Sequence, residues 1–201
     1  MKQSTRTFAA RAKRLRDKHW PSYVFIHINK TAGSSIEQAL NLPFEHKTAA
    51  EKLAELGAYR WRRAFRFSFV RNPWDKVVSH FHYRTKTNQT MMGDGHISFR
   101  EWVLRAYGER DPLYYDQPKM FMPQVDWLRD ASGAIIVDYI GRYERLNSDF
   151  AAVCKRIGVD RSLPRLKSSS HAGYRDYYDE QSRACIARHF CEDIDGFDYV
   201  F

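Results

Sequence analysis

Apolar and aromatic residues gather in three short runs: YVFIHI (23–28), RFSFV (66–70) and GAIIVDYIG (133–141). The first is β-branched, aromatic and continuous, which predicts a buried strand rather than an edge. The second ends directly on Arg71, and the third carries Gly at both margins. Elsewhere the apolar spacing lengthens to that of a helix. Ile36 and Leu40 lie four apart in SSIEQAL, and Trp74, Val77, Val78 and Phe81 form one face behind Pro73, a residue suited to a first helical turn. Leu146, Phe150, Val153 and Ile157 predict another amphipathic helix, FREWVLRAY and MPQVDWL two short ones, and DEQSRACIARHF the last. The terminal FDYVF is expected to pack back on the body, and the polar stretch 85–98 to form a loop.

Strand, loop and helix in repeated order predict an α/β fold: three layers, α/β/α, with a mostly parallel central sheet. The expected division is a basic N-terminal extension over 1–20 and one domain over 21–201.

Composition narrows the class. At 43% hydrophobic and 15% aromatic the chain is globular. No run reaches the apolar length that crosses a bilayer, and the first twenty residues lack the apolar stretch of a secretory signal. Three cysteines, an odd count without a CxxC pair, read as free thiols in a reducing compartment, so a cytoplasmic location is expected. The formal charge of +9 suggests a nucleic-acid binder until its distribution is considered. Residues 1–18 hold seven Lys and Arg against Asp17 alone, and so +6 of that total. The remainder is mildly basic, as suits a small polyanion. The basic tail could touch a membrane surface peripherally; no specific nucleic-acid partner is expected.

Two segments carry the chemistry. After the first strand comes NKTAGSS (29–35), leading into a helix. Backbone N–H groups and a helix N-terminus favour an anion there; Lys30 adds a full charge, Thr31, Ser34 and Ser35 hydroxyls, and Ala32 and Gly33 a small-residue turn. Gly33 is expected to let the backbone approach the anion. A Walker A loop would read GxxxxGK[ST], yet this lysine precedes the glycine by three residues and no GK[ST] occurs in the chain. Alone, the loop is equally consistent with a polar turn. The second segment is RNPWDKVVS (71–79): Arg71 leaves a strand at the carboxyl edge of the sheet, and Ser79 follows nearly two helical turns later. Together they can grip one phosphate.

These residues give the chain a family resemblance. NKTAGSS is similar to the PKTAG[ST]S loop of the 3'-phosphoadenylyl-sulfate-dependent sulfotransferases, with Asn29 in place of Pro, and RNPWDKVVS to the motif R-[DN]-P-x-x-[RK]-x-x-S. The carbohydrate-type branch fits best. The resemblance implies a P-loop nucleotide-hydrolase-like fold in which the first loop wraps the 5'-phosphosulfate while Arg71 and Ser79 grip the 3'-phosphate. It also implies donation from 3'-phosphoadenylyl sulfate, released as adenosine 3',5'-bisphosphate, to a hydroxyl acceptor of carbohydrate or glycoconjugate type. YIGRYERLNSDF (139–150) fits as well, and LKSSSHAGYRDYYDE (166–180) resembles a loop closing over the nucleotide.

Sulfuryl transfer needs a base for the acceptor proton and positive charge for the leaving phosphate. Lys30 is the candidate for the second role. His46, in LPFEHKTAAEKL, is the candidate base: imidazole titrates near neutrality, and the family places a catalytic histidine in this interval. His27 is expected in the core or beside the site, His82 near an acceptor cleft, Glu37 as an alternative base or a surface carboxylate, and Glu144 as an ion-pair partner of Arg142 or Arg145. No histidine pairs at metal-ligand spacing, and no metal is expected. An ATP- and magnesium-dependent small-molecule kinase is the main rival, a basic nucleic-acid-binding module the lesser one.

Overall fold

A computed structural model describes residues 22–164 and 173–201. The basic extension at 1–20 and the SSSHA part of the nucleotide-covering loop, with Ser168, Ser170 and His171, lie outside the described residues.

Three parallel strands form the sheet in the order β1-β2-β3: β1 Tyr23–Ile26, β2 Phe65–Val70 and β3 Tyr139–Arg142. Phe25 aligns with Phe67, and Phe67 with Tyr139. Side chains alternate across the sheet, as a strand requires. On one face Phe25, Phe67 and Phe69 bury against Ile36 and Leu40 of α1 (Gly33–Leu40) and Phe150 and Val153 of the later helix α8 (Leu146–Ile157). On the other, Val24, Ile26 and Val70 meet Ala49 of α2 (Ala49–Leu56), Trp61 of α3 (Ala58–Arg63), and Trp127 and Leu128 of α7 (Gln124–Leu128). The sheet is thus covered on both sides by helices, as the alternation of elements predicts.

α4 (Pro73–Lys86) starts on Asn72, whose side chain accepts from the N–H groups of Trp74 and Asp75, and Pro73 stands at the first turn. Its apolar face, Trp74, Val77 and Val78, joins a separate cluster with Trp102 and Val103 of α5 (Phe99–Val103), Phe121 of α6 (Pro118–Phe121) and Ile186 of α9 (Glu180–His189). The stretch expected as a loop begins as the end of α4 and continues into a 3₁₀ turn over Gln89–Asp94. α10 (Cys191–Gly196) follows α9, and Phe197 and Tyr199 bury beneath the body.

The third apolar run does not become one long strand. Asp130 and Ala134 pair across a turn in which Gly133 takes a φ of 84°, Ile136 N–H bonds back to the Leu128 carbonyl, and Ile135 forms an antiparallel bridge with Arg129. Residues 134–137 therefore return along the end of α7, and the parallel ladder starts only at Tyr139. Among the described residues no helix is long and apolar enough to cross a membrane.

Candidate active site

The first loop leaves β1 through His27 and turns sharply, with Lys30 and Ala32 in the left-handed region at φ values of 66° and 67°. Left-handed residues flanking Thr31 curl the chain into the kind of turn whose N–H groups can converge on an anion. Ala32 is the N-cap of α1 and supplies no side-chain cap, whereas Thr48, Asn72 and Asp179 cap α2, α4 and α9. α1 therefore opens toward the cleft without a side-chain acceptor at its first turn, where the Ser35 N–H bonds to the Ala32 carbonyl at 3.0 Å. Thr31 is fully buried and donates its hydroxyl to the Ile28 carbonyl at 2.9 Å, so its side chain braces the turn. Ser35 Oγ is buried without a hydrogen-bond partner, while Ser34 is exposed.

Gly33 has a second reason besides the one its sequence suggests. A Cβ there would lie 1.8 Å from His27 Cδ2, so the absence of a side chain makes room for an imidazole. Packing inside the protein already requires glycine at this position.

Arg71 leaves β2 beside this loop. Its guanidinium donates to Asp75 at 2.8 Å and to the Lys30 carbonyl at 3.2 Å, and stacks 4.0 Å from the Tyr143 ring centroid. The Lys30 amine lies 4.3 Å from the Tyr83 ring centroid. Burial and the neighbouring Arg71 bring that amine down to about 8. A cavity of about 540 Å³ joins these groups. Lys30, Ala32, Gly33, Ser34, Ser35, Arg71, Ser79 and His46 all line it, whereas Thr31 does not.

His46 comes from the segment between α1 and α2. Its Nδ1 lies 3.1 Å from the His27 carbonyl, which can only accept, so Nδ1 carries the proton and Nε2 is the lone-pair nitrogen of the neutral ring. Burial lowers its pKa, with Lys119 and Lys30 acting the same way against the bond to His27. His27 is buried and its Nδ1 lies 2.9 Å from Glu37 Oε1. Glu37 is only 4% exposed, not the surface carboxylate its helix position suggests. Burial raises its carboxyl to about 7 and lowers His27 to about 3, with His46 and Lys30 adding to the latter shift. Glu144 accepts the Asn72 N–H at 2.6 Å and the Tyr199 hydroxyl at 3.2 Å, in place of the expected arginine pairing. His82 Nε2 lies 3.0 Å from the Tyr177 hydroxyl.

The loop after β1, the strand-exit arginine and the histidine thus share one cleft, and residues 14–200 match the family model described as the sulfotransferase family. The chain belongs to the sulfotransferase family. A protein of Archaeoglobus fulgidus described as uncharacterized is 36% identical over 110 residues, spanning 54% of this chain and 81% of its own length. A sulfotransferase from Alicyclobacillus acidocaldarius, known by crystal structure, superposes with a TM-score of 0.49 at 17% identity, covering 87% of this chain and 93% of that one.

In this sulfotransferase-family chain the cleft holds residues that the motifs do not name. Tyr83 lies one helical turn beyond Ser79, and i, i+4 spacing on α4 is the signal that could have found it. Phe44, Gln89 and Tyr143 come from separate segments, and Gln117 and Met120 together from a further one at α6, so only the folded chain assembles them. His80 also lines the cavity, yet it is buried, and burial holds its pKa well below the ordinary value. Arg71 is braced from behind. Gln124 takes its N–H at 2.9 Å and gives its own amide proton to the Arg71 carbonyl at 2.8 Å. Buried Asp193 accepts the Gln124 and Val125 N–H groups, each at 2.8 Å. Among the described residues no group of three His, Cys, Asp or Glu is arranged to hold a metal ion.

Proposed function

We propose that the chain transfers a sulfuryl group from 3'-phosphoadenylyl sulfate to a hydroxyl of a carbohydrate or glycoconjugate. The observation that carries this is the shared cleft: Lys30, Arg71, Ser79 and His46 line one cavity, and the His46 tautomer leaves Nε2 able to take a proton. The donor supplies an activated sulfuryl group on a phosphate leaving group. The residues present fit such a polyanion. The uncapped start of α1, the left-handed turn, the unpartnered Ser35 hydroxyl and the Lys30 amine would hold the 5' end. Arg71 and Ser79 would hold the 3'-phosphate.

His46 Nε2 would accept the acceptor's hydroxyl proton while Nδ1–H stays on the His27 carbonyl, so the ring keeps its orientation as it becomes charged. Lys30 would stabilise the charge that develops on the leaving phosphate. Exposed Phe44 and Tyr83 with the neutral amides of Gln89 and Gln117 support a sugar-like acceptor, which presents apolar ring faces and hydroxyls together.

Calorimetry comparing adenosine 3',5'-bisphosphate, AMP and magnesium ATP tests the donor class. The bisphosphate should bind best, and Arg71→Ala should erase its advantage over AMP. Preference for magnesium ATP would instead indicate a kinase. With donor and a panel of glycans, His46→Ala should lower kcat by about 100- to 10,000-fold, the usual contribution of a general base.

A further inference from the structure

Glu37 is buried at a cost that its local surroundings do not explain. Its Oε2 has no hydrogen-bond partner, and a buried carboxyl so placed is worse for stability than an apolar side chain of similar size. Its other oxygen makes two contacts on different segments. Oε1 lies 2.9 Å from His27 Nδ1, at the exit of β1, and accepts the Glu45 N–H at 3.2 Å, in the segment that carries His46. The His27 carbonyl in turn receives the His46 Nδ1 proton at 3.1 Å. The two imidazole rings lie 4.2 Å apart between centroids, and Phe44 meets both edge-on at 5.3 and 5.0 Å. Gly33 leaves the space that the His27 ring occupies. One carboxyl oxygen therefore ties α1, which begins in the anion loop, to both neighbours of the His46 ring.

We propose that Glu37 is a positioning residue for His46, fixing through His27 and the Glu45 backbone the ring orientation and tautomer that a base requires. This rests on the sulfuryl-transfer function proposed above. The groups facing Glu37 are His27, Glu45 and Lys52; those facing His46 are His27, Lys30 and Lys119. Burial holds the His27 ring neutral near neutral pH, so His27 adds no cation beside a ring already facing two lysines. The acceptor's proton ends on His46 Nε2 and never reaches Glu37.

The test pairs nitrogen-15 NMR of the histidine rings with kinetics on the whole chain. In the wild type, neutral His46 should carry its proton on Nδ1; Glu37→Ala should give a mixture of tautomers. That variant should lose about 100-fold in kcat, as expected for a misplaced reacting group, while affinity for adenosine 3',5'-bisphosphate holds. Glu37→Gln, whose amide oxygen can still accept from Glu45 and His27, should keep most of the rate and the wild-type tautomer. Wild-type kcat and tautomer in Glu37→Ala would overturn the proposal. So would Glu37→Gln falling as far as Glu37→Ala, since charge rather than placement would then matter. Should Glu37→Ala not fold, an Nε2-protonated neutral His46 in the wild type still overturns it. Failure of the wild type to sulfate any acceptor would remove the functional proposal alone, because the ring spectra decide the placement of His46 independently.

Discussion

Two residues of the loop after β1 do opposite things with the same neighbourhood. Gly33 yields space to His27, and Lys30 places a cation where burial and Arg71 both oppose one. Gly33→Ala should therefore destabilise the fold through overpacking, by about 1–3 kcal/mol. A thermal melt reads this as a loss of roughly 2–4 °C per kcal/mol in a chain of this size. An unchanged Tm would mean that the His27 ring swings clear at no cost. Lys30 makes a prediction about protons. In the free protein its amine titrates at about 8, lowered from 10.5 by burial and by Arg71. A bound polyanion favours the charged form and must raise that value. Nucleotide binding at pH 8 should then draw in about half a proton, the fraction missing from a group at its midpoint. Calorimetry in buffers of different ionisation enthalpy measures the uptake, and Lys30→Met should abolish it. Binding heats that do not depend on the buffer would show that Lys30 is already fully charged.

At the scale of elements, α4 combines a cleft-lining serine with a buried lysine. Ser79 lines the cleft, while Lys76, one turn earlier, is fully buried with no hydrogen-bond partner for its amine. The amine lies 5.3 Å from the Phe190 ring centroid, and burial lowers its pKa from 10.5 to about 8 against the pull of Asp193. Between those values the unfolded chain binds more protons than the folded one, so this group makes stability rise with pH across that window. Lys76→Met should flatten the rise and stabilise the protein at pH 7; denaturant melts at pH 7 and 9.5 check both. A variant with the wild-type slope would show that Lys76 keeps its ordinary pKa. The apolar face of α4 was legible because Trp74, Val77 and Val78 repeat at helical spacing, whereas nothing in the local pattern marks Lys76 as buried. The loops at the ends of β1 and β2 were legible for a related reason: a run of apolar residues that stops at Lys or Arg exposes its end. The strand expected at 133–141 was only partly right, since apolar content cannot reveal that the turn at Asp130–Gly133 sends residues 134–137 back along α7. Glu37 and Glu144 were misjudged likewise, because their partners lie across loops and on other elements.

Across the whole molecule, the cleft is held in shape by the last segment of the chain. Asn72, which starts α4, donates its side-chain amide to the Val200 carbonyl at 2.8 Å. The Tyr199 hydroxyl donates to Glu144, whose other oxygen accepts the Asn72 N–H. The Phe201 ring meets Trp74 edge-on at 5.3 Å. Asp193 on α10 takes the first N–H groups of α7 and so fixes Gln124, the residue that clasps Arg71 on both sides of its backbone. Global stability and nucleotide grip should therefore fall together when this network is cut, even though Asp193 does not line the cleft. Asp193→Ala leaves two backbone N–H groups of α7 without their acceptor, at a cost of about 1–3 kcal/mol each. Gln124 then loses its anchor, and Arg71 the fixed backbone from which it reaches the cavity. A thermal melt should show a loss of roughly 4–24 °C, taking about 2–4 °C per kcal/mol. Well below the new midpoint, where the variant is folded, affinity for adenosine 3',5'-bisphosphate should still be weaker than in the wild type, with AMP affected less because it lacks the group that Arg71 would hold. Equal losses for both nucleotides would place the damage in the Lys30 loop instead, and a lowered midpoint with intact affinity would show that Arg71 is held by its bonds to Asp75 and the Lys30 carbonyl alone.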